Sequence, residues 1–331
     1  MHNKECARPS LFQSPKRLFP ALVRTDPPAV HLTAYCTGGL QQLYKTVKTA
    51  THSSNKESYT DADGHFCPTP DMPLLAARYN FVQVIGKGQS AVLIKAQDTF
   101  RGGELVSVKI LHRHYSVLGT QEADCIRRLN QADVHHFSGT LRLYTMFLYD
   151  GHYCLVFELL QPQPLYKYFL DTKAPQKLHR VRQVAVQLLS AVGFLQQHNV
   201  IHTDLKPDNL LLQTAGDCRS VKVIDFGNAI RCVHNELSLY YDDFELQTLV
   251  YRAPEVMLGV PFSMEIDLWS LGCVLTELYT GQPLFRGRDA KTVLWKMVQL
   301  LGPLPVDVFQ RGKFFPDFHE FTANVTQPDG K

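Results

Sequence analysis

Apolar residues change their spacing once along this chain, and that change restricts the fold more than any other feature. Between residues 81 and 157 they alternate or run in short blocks: Phe81–Ile85, Ala91–Ala96, Leu105–Ile110, Leu141–Leu148 and His152–Phe157. This spacing, with Gly-rich turns between the first three blocks, predicts five strands. Further on, the apolar residues fall at 181, 184, 185, 188, 189, 192 and 195, the i, i+3, i+4 pattern of a helix with one buried face. A second such helix carries Ile266, Trp269, Leu271, Val274, Leu275 and Leu278, and a third spans about 289–301 and stops at Gly302-Pro303. A polar helix near 120–130 interrupts the strands. Strands gathered first and helices gathered later predict an α+β chain, with a β-rich smaller lobe before an α-rich larger one.

Residues 1–78 lack either period. Pro9, Pro15, Pro20, Pro27, Pro28, Pro68, Pro70 and Pro73 break any long element, so this part reads as an irregular arm, with a turn between two short strands over 59–66. The 331 residues are 45% hydrophobic and 20% charged, which supplies a sizeable core and excludes a disordered or low-complexity chain. Lys plus Arg exceeds Asp plus Glu by only 34 to 31, a balance that gives no reason to expect a nucleic acid or a membrane surface as partner. No run approaches the roughly 18 apolar residues of a membrane helix, and no apolar block follows the N-terminus as in a secretory signal. The eight cysteines form no CxxC, so neither a zinc site nor a disulfide framework is indicated. Free thiols fit an intracellular setting, cytoplasm or nucleus.

Four stretches carry chemistry. Ile85-Gly86-Lys87-Gly88-Gln89-Ser90-Ala91 joins two strands, and reads either as a plain hairpin turn or as a loop whose N–H groups approach phosphate. Lys109, on the next-but-one strand, can reach such a phosphate, and Glu122, at the start of the following helix, can pair with it. Ile201-His202-Thr203-Asp204-Leu205-Lys206-Pro207-Asp208-Asn209 then packs a carboxylate, a cation and an amide into six residues. Phosphoryl transfer needs those groups: a base for the acceptor hydroxyl, a charge for the phosphate and an oxygen for a divalent metal. Val223-Ile224-Asp225-Phe226-Gly227 adds a carboxylate placed to hold the same metal, and Tyr251-Arg252-Ala253-Pro254-Glu255 and Asp267-Leu268-Trp269-Ser270-Leu271-Gly272 follow in order.

Read in that order, residues 79 to about 305 resemble the catalytic domain of a eukaryotic protein kinase. The resemblance implies a bilobal fold with a small lobe over 79–160 and a large lobe over 161–331, preceded by the 1–78 arm. It implies ATP and Mg2+, protein substrates bearing Ser or Thr, and a Ser/Thr kinase activity with tyrosine autophosphorylation as a further capacity. Ile85, Gly86, Lys87 and Gly88 would form the nucleotide loop, and Lys109, paired with Glu122, would bind phosphate. Leu93, Ser107 and Leu211 would line the adenine pocket, Phe157 would be the gatekeeper, and Glu158-Leu159-Leu160 the hinge. Asp204 would be the catalytic base and Lys206 the phosphate-neutralising cation, with Asn209 and Asp225 as metal ligands. Ile126, Leu143, His202 and Phe226 would stack as a spine between the lobes. Phe157-Glu158-Leu159-Leu160, His202-Thr203-Asp204 and Leu301-Gly302-Pro303-Leu304-Pro305 look like the CDC-like kinases. Ile85-Gly86-Lys87-Gly88 and Gly259-Val260-Pro261-Phe262 look like the dual-specificity tyrosine-regulated kinases, so the chain resembles that branch of the CMGC group.

The chain departs from the pattern at several places. Thr203 stands where many kinases carry an Arg that clamps a loop phosphate, which predicts less dependence on such a phosphate. Asp243-Phe244-Glu245 replaces a Tyr-x-Tyr pair, and a Glu245–Arg252 pair is one reading of this, solvated loop charges the other. Tyr240 and Tyr241 lie nearby but out of register. Leu249 replaces an Arg tied to Pro-directed specificity, while Thr248 remains and favours Ser/Thr substrates. Ala91 stands for a third loop glycine and Ser107 for an Ala, both with small expected effects. Related kinases continue through two more helices that supply an Arg partner for the residue equivalent to Glu255, so the large lobe is expected to be incomplete here. These departures leave a pseudokinase, a nucleotide-binding scaffold without turnover, as the alternative function.

Overall fold

The computed structural model describes residues 59–233, 237 and 246–321. They belong to one compact unit of the chain, Ser54–Lys331. Its first part is a five-stranded antiparallel sheet in the order β1-β2-β3-β5-β4, built from β1 (Tyr79–Lys87), β2 (Ala91–Asp98), β3 (Glu104–Leu111), β4 (Leu143–Tyr149) and β5 (His152–Glu158). Strand alternation divides this sheet into two functional faces. Val92, Ile94 and Ala96, Val106, Val108 and Ile110, and Cys154 and Val156 point to one face. Leu111, Leu155 and Phe157 point to the other, where α1 (Ser116–Ala132) packs. Ser107 and Lys109 share that second face by their spacing, four and two residues before Leu111.

The first face needs a cover, and residues 59–78 supply it. Phe66, Met72 and Leu75 are buried against Tyr79 and the apolar side of β1, β2, β3 and β5. Thr60 and Phe66 bridge across the turn expected there, and Cys67 N–H donates to Tyr59 O at 2.7 Å. The boundary expected at residue 78 therefore falls inside a packed unit. The prolines that hide any period in this segment do not prevent scattered apolar side chains from docking on a ready-made sheet.

Arg78 fastens the strap to the sheet. Its Nε and Nη2 donate to Asp98 Oδ1 and Oδ2, at 2.7 Å each, and Phe100 N–H adds a third bond to the same carboxylate. The Arg78 hydrogen bonds, which outweigh burial, hold the buried Asp98 carboxyl below its ordinary value. A carboxyl lowered by folding stabilises the protein above its unfolded value of about 3.9 and ceases to do so as pH falls through the folded value. Asp98→Asn is expected to cost about 2 kcal/mol at pH 7, and the difference from wild type should shrink in acid below about pH 4. Denaturant titrations at both pH values check this, and an equal deficit at the two would refute the assignment to the ion pair.

α1 carries Glu122 in its second turn, further in than the sequence suggests, on the same buried side as Ala123, Ile126 and Leu129. The helix lies close to the sheet because residue 119 is glycine: a Cβ there would sit 2.8 Å from Tyr153 Cδ1 and 3.0 Å from Leu111. The larger lobe is built on α2 (Ala174–Gln197), the short α3 (Pro254–Leu258), α4 (Glu265–Thr280) and α5 (Ala290–Leu301). α2 buries Val184, Leu188, Ala191, Val192 and Leu195 but leaves Leu189, which the apolar spacing placed on the buried stripe, half exposed. Between the helices run the short pairs β6 (Val200–Ile201) with β9 (Ile230–Arg231) and β7 (Leu210–Leu212) with β8 (Val221–Val223). These pairs hold up the loops that face the small lobe. No helix among the described residues is long and apolar enough to cross a membrane.

Candidate active site

Beneath the sheet lies a cavity of about 340 Å3. Ile85, Gly86, Lys87, Gly88 and Leu93 reach it from the β1–β2 hairpin, Ser107 and Lys109 from β3, and Phe157, Glu158 and Leu160 from the end of β5. Leu211, Asn209 and Asp225 close it from the large lobe, and Glu122 from α1. All twelve residues expected to bind nucleotide thus line one cavity. The sequence reading passed over Leu141, Gln161, Pro162 and Ile224, which also line it and bear no chemical signal of their own. Ala91 does not have a positive φ, so a Cβ in place of the third loop glycine brings no backbone strain.

One end of the cavity is apolar and the other is charged. Lys109 Nζ donates to Glu122 Oε1 and Oε2 at 2.9 and 2.8 Å and to Asp225 Oδ1 at 3.2 Å. Burial would lower the Lys109 ammonium, but Glu122 and Asp225 outweigh it and raise it. Burial likewise pushes the Asp225 carboxyl up, and Lys109 and His202 bring it below its ordinary value. Its side chain stays 46% exposed, open toward the cavity.

A second cluster sits on the large lobe. Asp204 Oδ2 accepts from Lys206 Nζ at 2.7 Å, and Asp204 Oδ1 accepts from Thr248 Oγ1 at 2.7 Å and from Thr248 N–H at 3.1 Å. Lys206 Nζ also reaches Thr248 Oγ1 at 3.1 Å. Asn209 joins the two clusters: it lines the cavity, and its Nδ2 donates to Asp204 O at 2.8 Å. Asn209 and Asp225 offer hard oxygen atoms beside a lysine, which suits a magnesium ion that takes one or two protein oxygens and completes its shell with phosphate and water. No group of three or more His, Cys, Asp or Glu able to hold a metal by themselves occurs among the described residues.

Buried supports hold this geometry. Asp267, from α4, accepts from His202 N–H at 2.7 Å and Thr203 N–H at 3.0 Å. These bonds fix Thr203 at φ +67, a costly conformation for a β-branched residue. Thr203 Oγ1 then donates to Asn228 O at 2.8 Å, a neutral tie between the Asp204 loop and the segment after Asp225. His202 Nδ1 accepts from Asp204 N–H at 3.2 Å while its Nε2 bonds Ile224 O at 2.9 Å, and its ring lies 5.0 Å from Phe226. Ile126 and Phe226 are buried in one cluster, with Leu143 packed against it. Gln247, which the sequence reading missed, is buried and bonds Ile266 O, Ser270 Oγ and Ala253 N–H, bracing the segment that carries Thr248.

The suggested Glu245 partner of Arg252, with Asp243, Tyr240 and Tyr241, lies outside the described residues. Arg252 itself donates to Gln247 O at 3.2 and 3.0 Å. Leu249 is half-buried against the core. Burial pushes the Glu255 carboxyl up, and no ion pair to it is found among the described residues.

Comparison with known proteins agrees with this geometry. A model of the protein kinase domain matches residues 79–312. The serine/threonine-protein kinase ppk5 of Schizosaccharomyces pombe is 35% identical over 254 residues, 76% of this chain and 29% of that protein. Human dual specificity tyrosine-phosphorylation-regulated kinase 4 is 32% identical over 293 residues, 87% of this chain and 54% of the relative. Mouse dual specificity protein kinase CLK1 is 33% identical over 283 residues, 78% of this chain and 56% of the relative. The chain therefore spans from under a third to just over half of the length of these relatives.

Proposed function

Since the chain belongs to the protein kinase family, we propose that it transfers the γ-phosphoryl group of Mg-ATP to Ser and Thr hydroxyls of protein substrates. The observation that carries this reading is the joining of two charged clusters through Asn209: Lys109, Glu122 and Asp225 at the cavity, and Asp204, Lys206 and Thr248 beside it. The apolar end of the cavity suits a purine ring, and Lys109 is aimed at the phosphates, with Glu122 fixing its position. Asn209 and Asp225 would hold the metal ion, which would supply charge neutralisation on the phosphates. Asp204 orients the acceptor hydroxyl and takes its proton, Lys206 faces the charge that develops on the transferred group, and Thr248 keeps the Asp204 carboxylate in register. Positioning and electrostatics do most of the work in this class of reaction.

Leu249 adjoins Thr248 with no charge to organise a loop phosphate, which argues against selection of Pro after the target residue. The neutral Thr203 tie supports activity without a phosphate clamp. An intracellular setting suits both ATP and the six free cysteines among the described residues.

The test is labelling of a generic basic protein by the full chain with γ-labelled ATP and Mg2+, with acid hydrolysis to identify the labelled amino acid. Label on Ser and Thr that disappears on chelation of the metal is the expected result. ATP binding by calorimetry with no transfer to any protein would overturn the reading in favour of a nucleotide-binding scaffold.

A further inference from the structure

The end of β5 presents one acceptor to the cavity that another side chain already occupies. Ser107 Oγ donates to Glu158 O at 3.1 Å, and both residues are buried and line the cavity. The strand register sets this up, since Ser107 lies opposite Phe157 and its neighbour Val106 lies opposite Glu158. The Glu158 side chain does not disturb the contact, being held elsewhere: its Oε1 accepts from Arg142 N–H at 2.9 Å and lies 3.4 Å from Lys222 Nζ. The hydroxyl thus adds a donor to the cavity wall, next to the place where a base would present its edge.

A polar site rejects a ligand lacking a hydrogen-bonding group mainly because the group on the protein is then left buried and unpaired. Where the protein itself satisfies that group, the penalty disappears. The geometry points to Ser107 as a base-specificity residue: by pairing with Glu158 O it relaxes selection for the purine 6-amino group, so that a purine nucleoside triphosphate with hydrogen in place of that group binds nearly as well as ATP. A carbonyl has two lone pairs, so the amine of ATP is still accepted. What Ser107 changes is the cost of its absence. This inference rests on the proposed nucleotide site and sharpens which nucleotides that site takes.

The experiment is calorimetric binding, with Mg2+, of ATP and of purine riboside triphosphate, which is ATP without the 6-amino group, to the full chain and to Ser107→Ala. The wild type is expected to lose less than about 3-fold in affinity for the analogue, and Ser107→Ala about 10-fold or more, the scale of one buried hydrogen bond left unmade. A similar ratio of the two affinities in both proteins would overturn the inference, and so would a wild type that loses 10-fold or more by itself. The wild-type arm alone therefore decides the matter if the variant does not fold. Failure of the wild type to bind either nucleotide would overturn the nucleotide site, and this inference with it. ATP binding with strong rejection of the analogue overturns the inference only.

Discussion

Replacing Lys109 by Met is expected to lower phosphoryl transfer by about 100- to 1000-fold, the loss seen when one preorganised charge partner is removed from an active site. It is also expected to cost about 3–5 kcal/mol of stability, because a buried pair is broken on one side only. The reason lies in Glu122, whose side chain is 3% exposed and whose two carboxylate oxygens both accept from Lys109 Nζ. Without the lysine, Glu122 must be buried as an unpaired charge or take up a proton. A second substitution separates the two losses. In Lys109→Met/Glu122→Gln the buried charge is gone from both sides, so most of the stability should return while transfer stays low. Denaturant unfolding and a transfer assay on the wild type and the two variants check this. A double variant no more stable than Lys109→Met would refute the account of the stability loss, and near wild-type transfer by Lys109→Met would refute the role of the lysine.

The parts of this arrangement that were legible in the sequence are those fixed by local periodicity. Ser107 and Lys109 are two apart on a strand, so they share a face whatever that face turns out to cover. Glu122 precedes Ile126 by four on a helix, so the two are brought to one side. The strand count and the order of small and large lobes follow from the same arithmetic. What sequence did not disclose depends on partners far along the chain. Phe66, Met72 and Leu75 look like stray apolar residues among prolines until a sheet face lacking a cover is present to receive them. Asp267 reads as a helix N-terminal acid, yet it is buried, and its carboxylate holds two N–H groups more than sixty residues away. Ser107 reads as a small polar substitution, and only the β3–β5 register reveals that its hydroxyl reaches the Glu158 carbonyl. Gln247 carries no pattern at all, because its worth lies in three bonds made to a helix and a loop that no spacing rule connects to it.

Asp204→Asn separates chemistry from architecture more sharply, and transfer is expected to fall by about 100- to 10,000-fold, the range of a lost general base. Asn can keep one oxygen facing Thr248, so the bonds from Thr248 Oγ1 and N–H survive and the loop keeps its path. The other position becomes an NH2 facing Lys206 Nζ, two donors at a contact that now measures 2.7 Å, so the lysine must move away. The carboxylate that would accept the substrate proton is lost as well. Asp204 does not line the nucleotide cavity, whereas Asn209 and Asp225 do. ATP affinity in Asp204→Asn should therefore stay within about 3-fold of wild type while kcat collapses, a split that a general loosening of the lobe would not produce. Parallel loss of both would assign Asp204 a structural role, and transfer within 10-fold of wild type would remove it from the chemistry. Thr248→Val sets the scale for the supporting bond: it removes the hydroxyl but leaves the backbone N–H on Asp204 Oδ1, so its loss in kcat should be at least 10-fold smaller than that of Asp204→Asn.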